Sequence, residues 1–514
     1  MLQGLTSTRL VKPVGDKTRF VLVLVGVFLA LTAWAVASPV GSSPDDDFHL
    51  ASIWCGDGPR QGLCESGTTP QSRSIPVALA QSICFAYNAN ATGACQAGKL
   101  EISESLFFVT DRVNSTGLYP PVFYATLGLL ASSHLQTSVI AMRLFNVFLF
   151  VGLTTALWLT LGSRLRRALV ITYTVTLVPL GFFLIPSTNP SSWAIIGIGN
   201  FFFSILALLK ETSRRKQAVL IVIALLSFGI LAGSRGDAAA FSVLAMVAAA
   251  LNSRTPIRVA WRRYAFILVL TVAATLTFLS TGQANVAADG LRDSSSSPSA
   301  LSGLNLLLSN ILNLPSLLMG VFGSWGLGWL DTLLPPTVWI LAGGAALISM
   351  FQGLSESSAW KNLGTGVVLA ATLTFPLIVL SKSQAAVGAY VQPRYLLPLI
   401  ILLVATTVVP ANDEVGWDMN RVQRFVLASF LLIAFTVALH LNMGRYISGA
   451  SHPSWNLMTA DGWWWPVAIP ALGFWLGGSL GMLLLLWGVY TQKITPHRDL
   501  DTGREPTTSI GASP

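Results

Sequence analysis

The chain has 514 residues, 53% of them hydrophobic and only 10% charged, with a formal net charge of +9. Soluble chains carry roughly 25% charged residues, so the composition excludes a soluble globular protein and points to a polytopic helical membrane protein. Excess positive charge in such a chain marks cytoplasmic loops and is no argument for nucleic-acid binding.

A bilayer core of about 30 Å takes about 20 apolar residues in a helix. About twelve such stretches recur, near residues 20–39, 138–161, 168–186, 191–210, 217–233, 237–252, 264–281, 336–353, 363–381, 395–410, 424–443 and 466–490. Arg9, Lys12, Lys17, Arg19, Arg164, Arg166, Arg167, Lys210, Arg214, Arg215, Lys216, Arg254, Arg258, Arg262, Arg263, Lys361, Arg421, Arg424, Lys493, Arg498 and Arg504 then fall on one side. That is about two thirds of the Lys and Arg, which predicts cytoplasmic termini (1–19 and a polar, disordered tail from 491 to 514) around a membrane domain of 20–490 in a plasma membrane. Ala35-Val36-Ala37 also fits a signal-peptide cleavage site, but the apolar stretch before it is long for a signal and favours an uncleaved span.

The first outer loop, 40–137, holds Cys55, Cys64, Cys84 and Cys95, the only cysteines of the chain. An even number in one exported loop predicts disulfides. Three pairings are open, the local one (55 with 64, 84 with 95) being expected; zinc is the competing reading, though no C-x-x-C pair occurs. Near the loop's end, Leu118-Tyr119-Pro120-Pro121-Val122-Phe123-Tyr124 opens an apolar stretch too short to cross, which suits an interfacial helix. A second outer segment, 282–335, starts polar, with Asp289, Arg292, Asp293 and the serines 294–297. It then turns apolar from Leu301 to Leu334. One or two helices on or dipping into the outer leaflet are expected there, an extra pair of crossings being the competing reading.

Ionisable groups at span ends are costly unless they face water or a partner. On the outer side these are Asp45, Asp46, Asp47, His49, Arg143, Arg235, Asp237, Lys382, Arg394 and Arg445. Singly, each is explained as a snorkelling flank residue. Acids gathered after the first span, with bases at several other outer ends, predict a lined cavity.

Ser43-Pro-Asp-Asp-Asp-Phe-His49, Ser187-Thr-Asn-Pro-Ser-Ser192, Ser234-Arg-Gly-Asp237 and Gln392-Pro-Arg-Tyr-Leu-Leu-Pro398 resemble a bacterial membrane-protein family called domain of unknown function 2142. The acid cluster, Tyr-Pro-Pro-Val-Phe-Tyr and Met142-Arg-Leu-Phe-Asn146 also resemble the GT-C membrane glycosyltransferases, with which that family is grouped. The resemblance implies an all-α, GT-C-like membrane domain and transfer of a sugar from a polyprenyl-phosphate lipid to a cell-envelope glycan or glycolipid on the non-cytoplasmic face. It also implies a paired-acid motif followed by a spaced His, matched by Asp45–Asp47 and His49. Many members keep Gly where this chain has Pro393.

Transfer from a sugar phosphate to a hydroxyl needs a base and a stabilised leaving phosphate. Asp46, or else Asp45, is the expected base, with Asp47 a metal or acceptor ligand and His49 a metal or acceptor ligand or a plain loop histidine. Arg394 is the expected phosphate ligand, since its fork holds two oxygens; Arg235, Lys382 and Tyr395 follow. Arg143, Asp237, Asn189, Tyr119 and Tyr124 are expected around the cavity. A divalent cation, Mg or Mn, held by Asp45 and Asp47 is the other source of positive charge. No P-loop lysine motif, H-E-x-x-H or G-x-S-x-G occurs. The alternative function is a transporter or flippase for a lipid or polar solute; it predicts internal repeats and mid-membrane charges, and neither is evident.

Overall fold

The computed structural model describes residues 16–103, 106–290, 301–411, 419–451, 454–458 and 463–490. Expectations for the extreme N-terminus, the polar serine run and the tail lie outside these residues.

Helix α1 (Asp16–Val36) leads into a region of short elements. These are α2 (Asp46–Trp54), β1 (Glu65–Ser66), β2 (Arg73–Pro76), α3 (Val77–Gln81), β3 (Phe107–Thr110) and α4 (Val122–Gly128). The strands form one antiparallel sheet in the order β1-β2-β3, with Arg73 opposite Thr110 and Pro76 opposite Phe107. Disulfides Cys55–Cys64 and Cys84–Cys95 staple this region. Helix α4, seven residues long, is far too short to cross a bilayer.

The rest is helical: α5 (Leu135–Thr160), α6 (Ser163–Thr176), α7 (Leu180–Leu184), α8 (Ser191–Lys210), α9 (Arg214–Ser234), α10 (Gly236–Ser253), α11 (Ile257–Leu279), α12 (Gly282–Asp289), α13 (Gly303–Gly320), α14 (Pro336–Leu354), α15 (Ala359–Lys382), α16 (Pro393–Val408), α17 (Arg421–Ser448) and α18 (Ala471–Tyr490). Among the described residues, 11 helices are long and apolar enough to cross a membrane, and all but α13 fall on expected spans. Two expected spans take other forms. The stretch 168–186 is broken into α6 and α7 around Pro179, which lacks the N–H a continuous helix needs and restrains the residue before it. The stretch 395–410 is α16, of 16 residues.

Helix α13 has a span's length, but Asn310 near its middle donates to the Ala385 carbonyl at 3.0 Å and accepts from the Val387 N–H at 2.8 Å. Gly320 at its end lies against Pro393. These contacts fall on the connection from α15 into the start of α16.

Helix α8 is the hub, buried along its whole hydrophobic length. Helices α1 and α18 meet through small residues: a Cβ on Gly26 would stand 2.7 Å from the Gly481 carbonyl, and one on Gly481 would stand 2.7 Å from that of Gly26. Glycine allows such backbone contact, and between apolar helices close packing is a main source of association. Connections alternate between two faces. One carries the short basic loops after α5, α8, α10 and α14; the other gathers the disulfide region, the starts of α8, α10 and α16, and the 321–335 segment.

Candidate functional site

The aspartate run sits at the start of α2. Asp45 takes a left-handed backbone, φ 57°, which Asp tolerates better than most residues, and it turns the chain into the helix. Asp46 and Asp47 occupy the first turn, where the helix dipole favours negative charge. The turn sends the three carboxylates to three different partners.

Asp45 pairs with Arg394, and its side chain is 37% exposed. Asp46 is fully buried; its oxygens accept from the Ser43 N–H at 2.9 Å and the Thr188 hydroxyl at 2.8 Å. Asp47 accepts from Arg112 at 2.6 Å. Arg394 reaches Asp45 because Pro393 starts α16, its preset φ and missing N–H suiting the first helical position. Arg394 also donates to the Tyr395 hydroxyl at 3.0 Å, while its Nε and Nη1 are buried and have no hydrogen-bond partner among the described residues. Arg394 lines a narrow cleft with Pro44, Leu180, Gly326, Leu327, Gly328, Leu330, Gln392 and Pro393.

A second arginine stands beside it. Arg235, extended between α9 and α10, holds Asp237 through two bonds of 2.8 and 2.6 Å and donates to the Ser191 hydroxyl at 3.3 Å. Its guanidinium lies 4.5 Å from the centre of the Tyr395 ring and 5.9 Å from that of Tyr119. Gly236 lets the chain pass: a Cβ there would stand 2.3 Å from the Thr281 hydroxyl. His49 shares a 2.9 Å hydrogen bond between Nδ1 and the Tyr124 hydroxyl and packs against Tyr119. The structure thus brings together Asp45, Arg394, Tyr395, Arg235, Asp237 and Tyr119, with His49 and Tyr124 behind them.

Burial opposes the charge of Asp45, but Arg394 outweighs it and holds the carboxyl below its ordinary value. Burial pushes Asp46 up to about 7 against its Thr188 bond and the nearby Arg143. Burial likewise lowers His49 to about 3, so it is neutral at physiological pH. Asp45 is therefore the ionised, accessible acid, and Asp46 the inward, structural one.

Other expected residues lie elsewhere. Arg143 caps the end of α1, donating to the carbonyls of Ala35 at 2.9 Å, Ser38 at 2.7 Å and Pro39 at 2.8 Å. Asn189 is a buried tie that donates to the Pro44 carbonyl at 2.8 Å and accepts from the Ser191 N–H at 2.9 Å. Lys382 ends α15, where its backbone stands against Gly290. Three participants carried no strong signal in the sequence: Thr188, hidden inside the Ser-Thr-Asn-Pro run, Arg112 and Asp331. Asp331 pairs with Arg445 at 2.7 Å.

A cation held by Asp45 and Asp47 fits poorly. Each already holds a guanidinium, and among the described residues no three His, Cys, Asp or Glu side chains gather where they could hold a metal ion.

No curated protein matches the sequence. The solved structure of ArnT from Cupriavidus metallidurans in the apo state is similar at 14% identity over 92% of this chain and 78% of that one, with a TM-score of 0.41. Over residues 28–403, which run from α1 through most of α16 and so include Asp45, Arg235 and Arg394, the sequence matches the family described as "Predicted membrane protein (DUF2142)", and the chain belongs to that family.

Proposed function

We propose that the chain is a membrane glycosyltransferase that moves a sugar from a polyprenyl-phosphate donor to a cell-envelope acceptor at the extracytoplasmic face. The observation that carries this reading is Arg394: buried, lining a cleft, ion-paired to one accessible carboxylate, and with two nitrogens unmatched. Unmatched buried donors are costly, and a phosphate is the ligand that best matches a guanidinium fork.

In this reading Arg394 binds the donor phosphate through Nε and Nη1, and Arg235 adds positive charge from across the Tyr395 ring. Asp45 takes the proton of the acceptor hydroxyl as its oxygen attacks the anomeric carbon. The bond from that carbon to the phosphate oxygen breaks, and polyprenyl phosphate leaves with the electron pair, stabilised by the arginines. One displacement inverts the anomeric configuration. Asp45 needs no proton removed at neutral pH, because Arg394 keeps it ionised.

The test is turnover of a panel of polyprenyl-phosphate sugars by the purified protein in nanodiscs, with envelope glycans as acceptors. One donor is expected to give an inverted glycoside. Transbilayer movement of these lipids with no glycoside from any donor would contradict the proposal and favour a flippase.

A further inference from the structure

We infer that Tyr87 and Trp329 form a platform on which a sugar ring stacks beside Asp45 and Asp47. The inference rests on the transferase reading and deepens it by saying where the ring lies.

Tyr87 is 82% exposed, on the face that carries the disulfides rather than among the lipid-facing helices. Its ring centre lies 5.1 Å from that of Trp329, tilted by 59°. An aromatic pair open to water presents an apolar surface with polar tips that a ligand can cover. Tyr87 also has a φ of 60°, a left-handed backbone that a bulky residue rarely adopts.

Both rings are held before any ligand arrives. The Cys84–Cys95 disulfide closes the turn around Tyr87. Arg445 donates to the Ala91 carbonyl at 2.7 Å and the Asn88 carbonyl at 3.1 Å, and pairs with Asp331 at 2.7 Å. One buried guanidinium therefore ties the loop of Tyr87 to the segment of Trp329. The indole N–H of Trp329 donates to the Gly41 carbonyl at 3.0 Å, close in sequence to the aspartates.

The platform adjoins the cleft: Leu330, next to Trp329, lines it together with Arg394. Partial burial, followed by the nearby carboxylates of Asp47 and Asp45, pushes the Tyr87 hydroxyl above its ordinary value. Asp47 Oδ1 is buried and has no hydrogen-bond partner among the described residues. A sugar offers an apolar C–H face for the rings and a rim of hydroxyls to donate to carboxylates. A hydrocarbon chain would cover the rings and leave Asp47 unmatched.

The test is saturation-transfer NMR on the full-length protein in nanodiscs. The probes are methyl glycosides of common hexoses and pentoses, and the same sugars as short prenyl phosphates. At least one free glycoside should receive saturation at its ring protons. Tyr87→Asn removes the ring and suits the left-handed backbone, and is expected to lower that signal at least fivefold, as is Trp329→Ala. Tyr87→Phe should keep it. Asp45→Asn should keep the signal while losing turnover, so failure of the transferase reading and failure of the platform are told apart. Arg394→Ala should weaken the prenyl phosphates and spare the free glycosides, marking which end of the donor the platform serves. No saturation with any probe, or saturation that survives in the Tyr87→Asn/Trp329→Ala double variant, overturns the platform.

Discussion

The two faces of the bundle use arginine and lysine differently. On the basic-loop face several finish helices, while Lys216 stands 3.9 Å from the Glu211 carboxylate at the surface. Arg166 donates to the carbonyls of Trp158 and Leu159, Arg263 to those of Leu208, Leu209 and Glu211, and Lys361 to those of Gly353 and Glu356. Such carbonyls at helix ends have no partner within the helix, and a cation there also meets the negative end of the dipole. On the disulfide face, Arg394, Arg235, Arg445 and Arg112 hold carboxylates instead, the first three with side chains no more than 6% exposed. Arg143 and Arg60 are exceptions, helix-capping arginines on the carboxylate side: Arg60 donates to the Trp54 and Gly128 carbonyls at the ends of α2 and α4. Capping improves a fold locally. A buried ion pair gives little net stability for its desolvation cost, so several of them at one end of the bundle point to function.

The contrast can be broken experimentally, most severely at Arg445. Arg445→Ala leaves Asp331 charged and unpaired and frees two loop carbonyls, and should cost about 3–5 kcal/mol in thermal or denaturant unfolding. A loss below about 1 kcal/mol would show the pair to be solvated. Removing Cys55–Cys64 by paired serine substitution should cost about 2–4 kcal/mol by the same measurement. Arg263→Ala, on the other face, should cost only about 1–2 kcal/mol, the worth of its carbonyl bonds.

A smaller, signed effect separates the two inward groups of the site. Asp46 is raised from 3.8 to about 7, so its contribution to stability is full below 3.8 and is lost as pH rises through about 7. His49 is lowered from 6.5 to about 3, so its contribution is full above 6.5 and is lost as pH falls through about 3. The wild-type melting temperature should therefore peak between those limits. Asp46→Asn should flatten the alkaline limb and His49→Gln the acid one; limbs unchanged in both variants would contradict the burial of these groups.

Much of the fold was legible because membrane spans are a matter of length and apolarity. Only the broken 168–186 stretch and the shortness of α16 took other forms, both at prolines whose backbone effect depends on packing. The candidate site was legible as a set: Asp45, Arg394 and Arg235 stood out because charge at span ends is costly, and Tyr395 through the resemblance carried by Gln392-Pro-Arg-Tyr. The division of labour within the aspartate run was not. It depends on the left-handed turn at Asp45 and on Thr188, 142 positions away from Asp46 in the chain, and neither leaves a periodic signature. Arg143 looked like a cavity residue for the same reason that Arg394 did; only the α1 carbonyls distinguish it.

The central claim is that Asp45, opposite Arg394, is the working acid of the run. It is tested most directly by single-turnover rates of polyprenyl-phosphate-sugar consumption in Asp45→Asn and Asp46→Asn, with both variants shown to be folded. Asp45→Asn should slow the step by about 10²–10⁴-fold, the range for loss of a general base, and Asp46→Asn by less than about tenfold. Full activity in Asp45→Asn beside an inactive, folded Asp46→Asn would contradict the account.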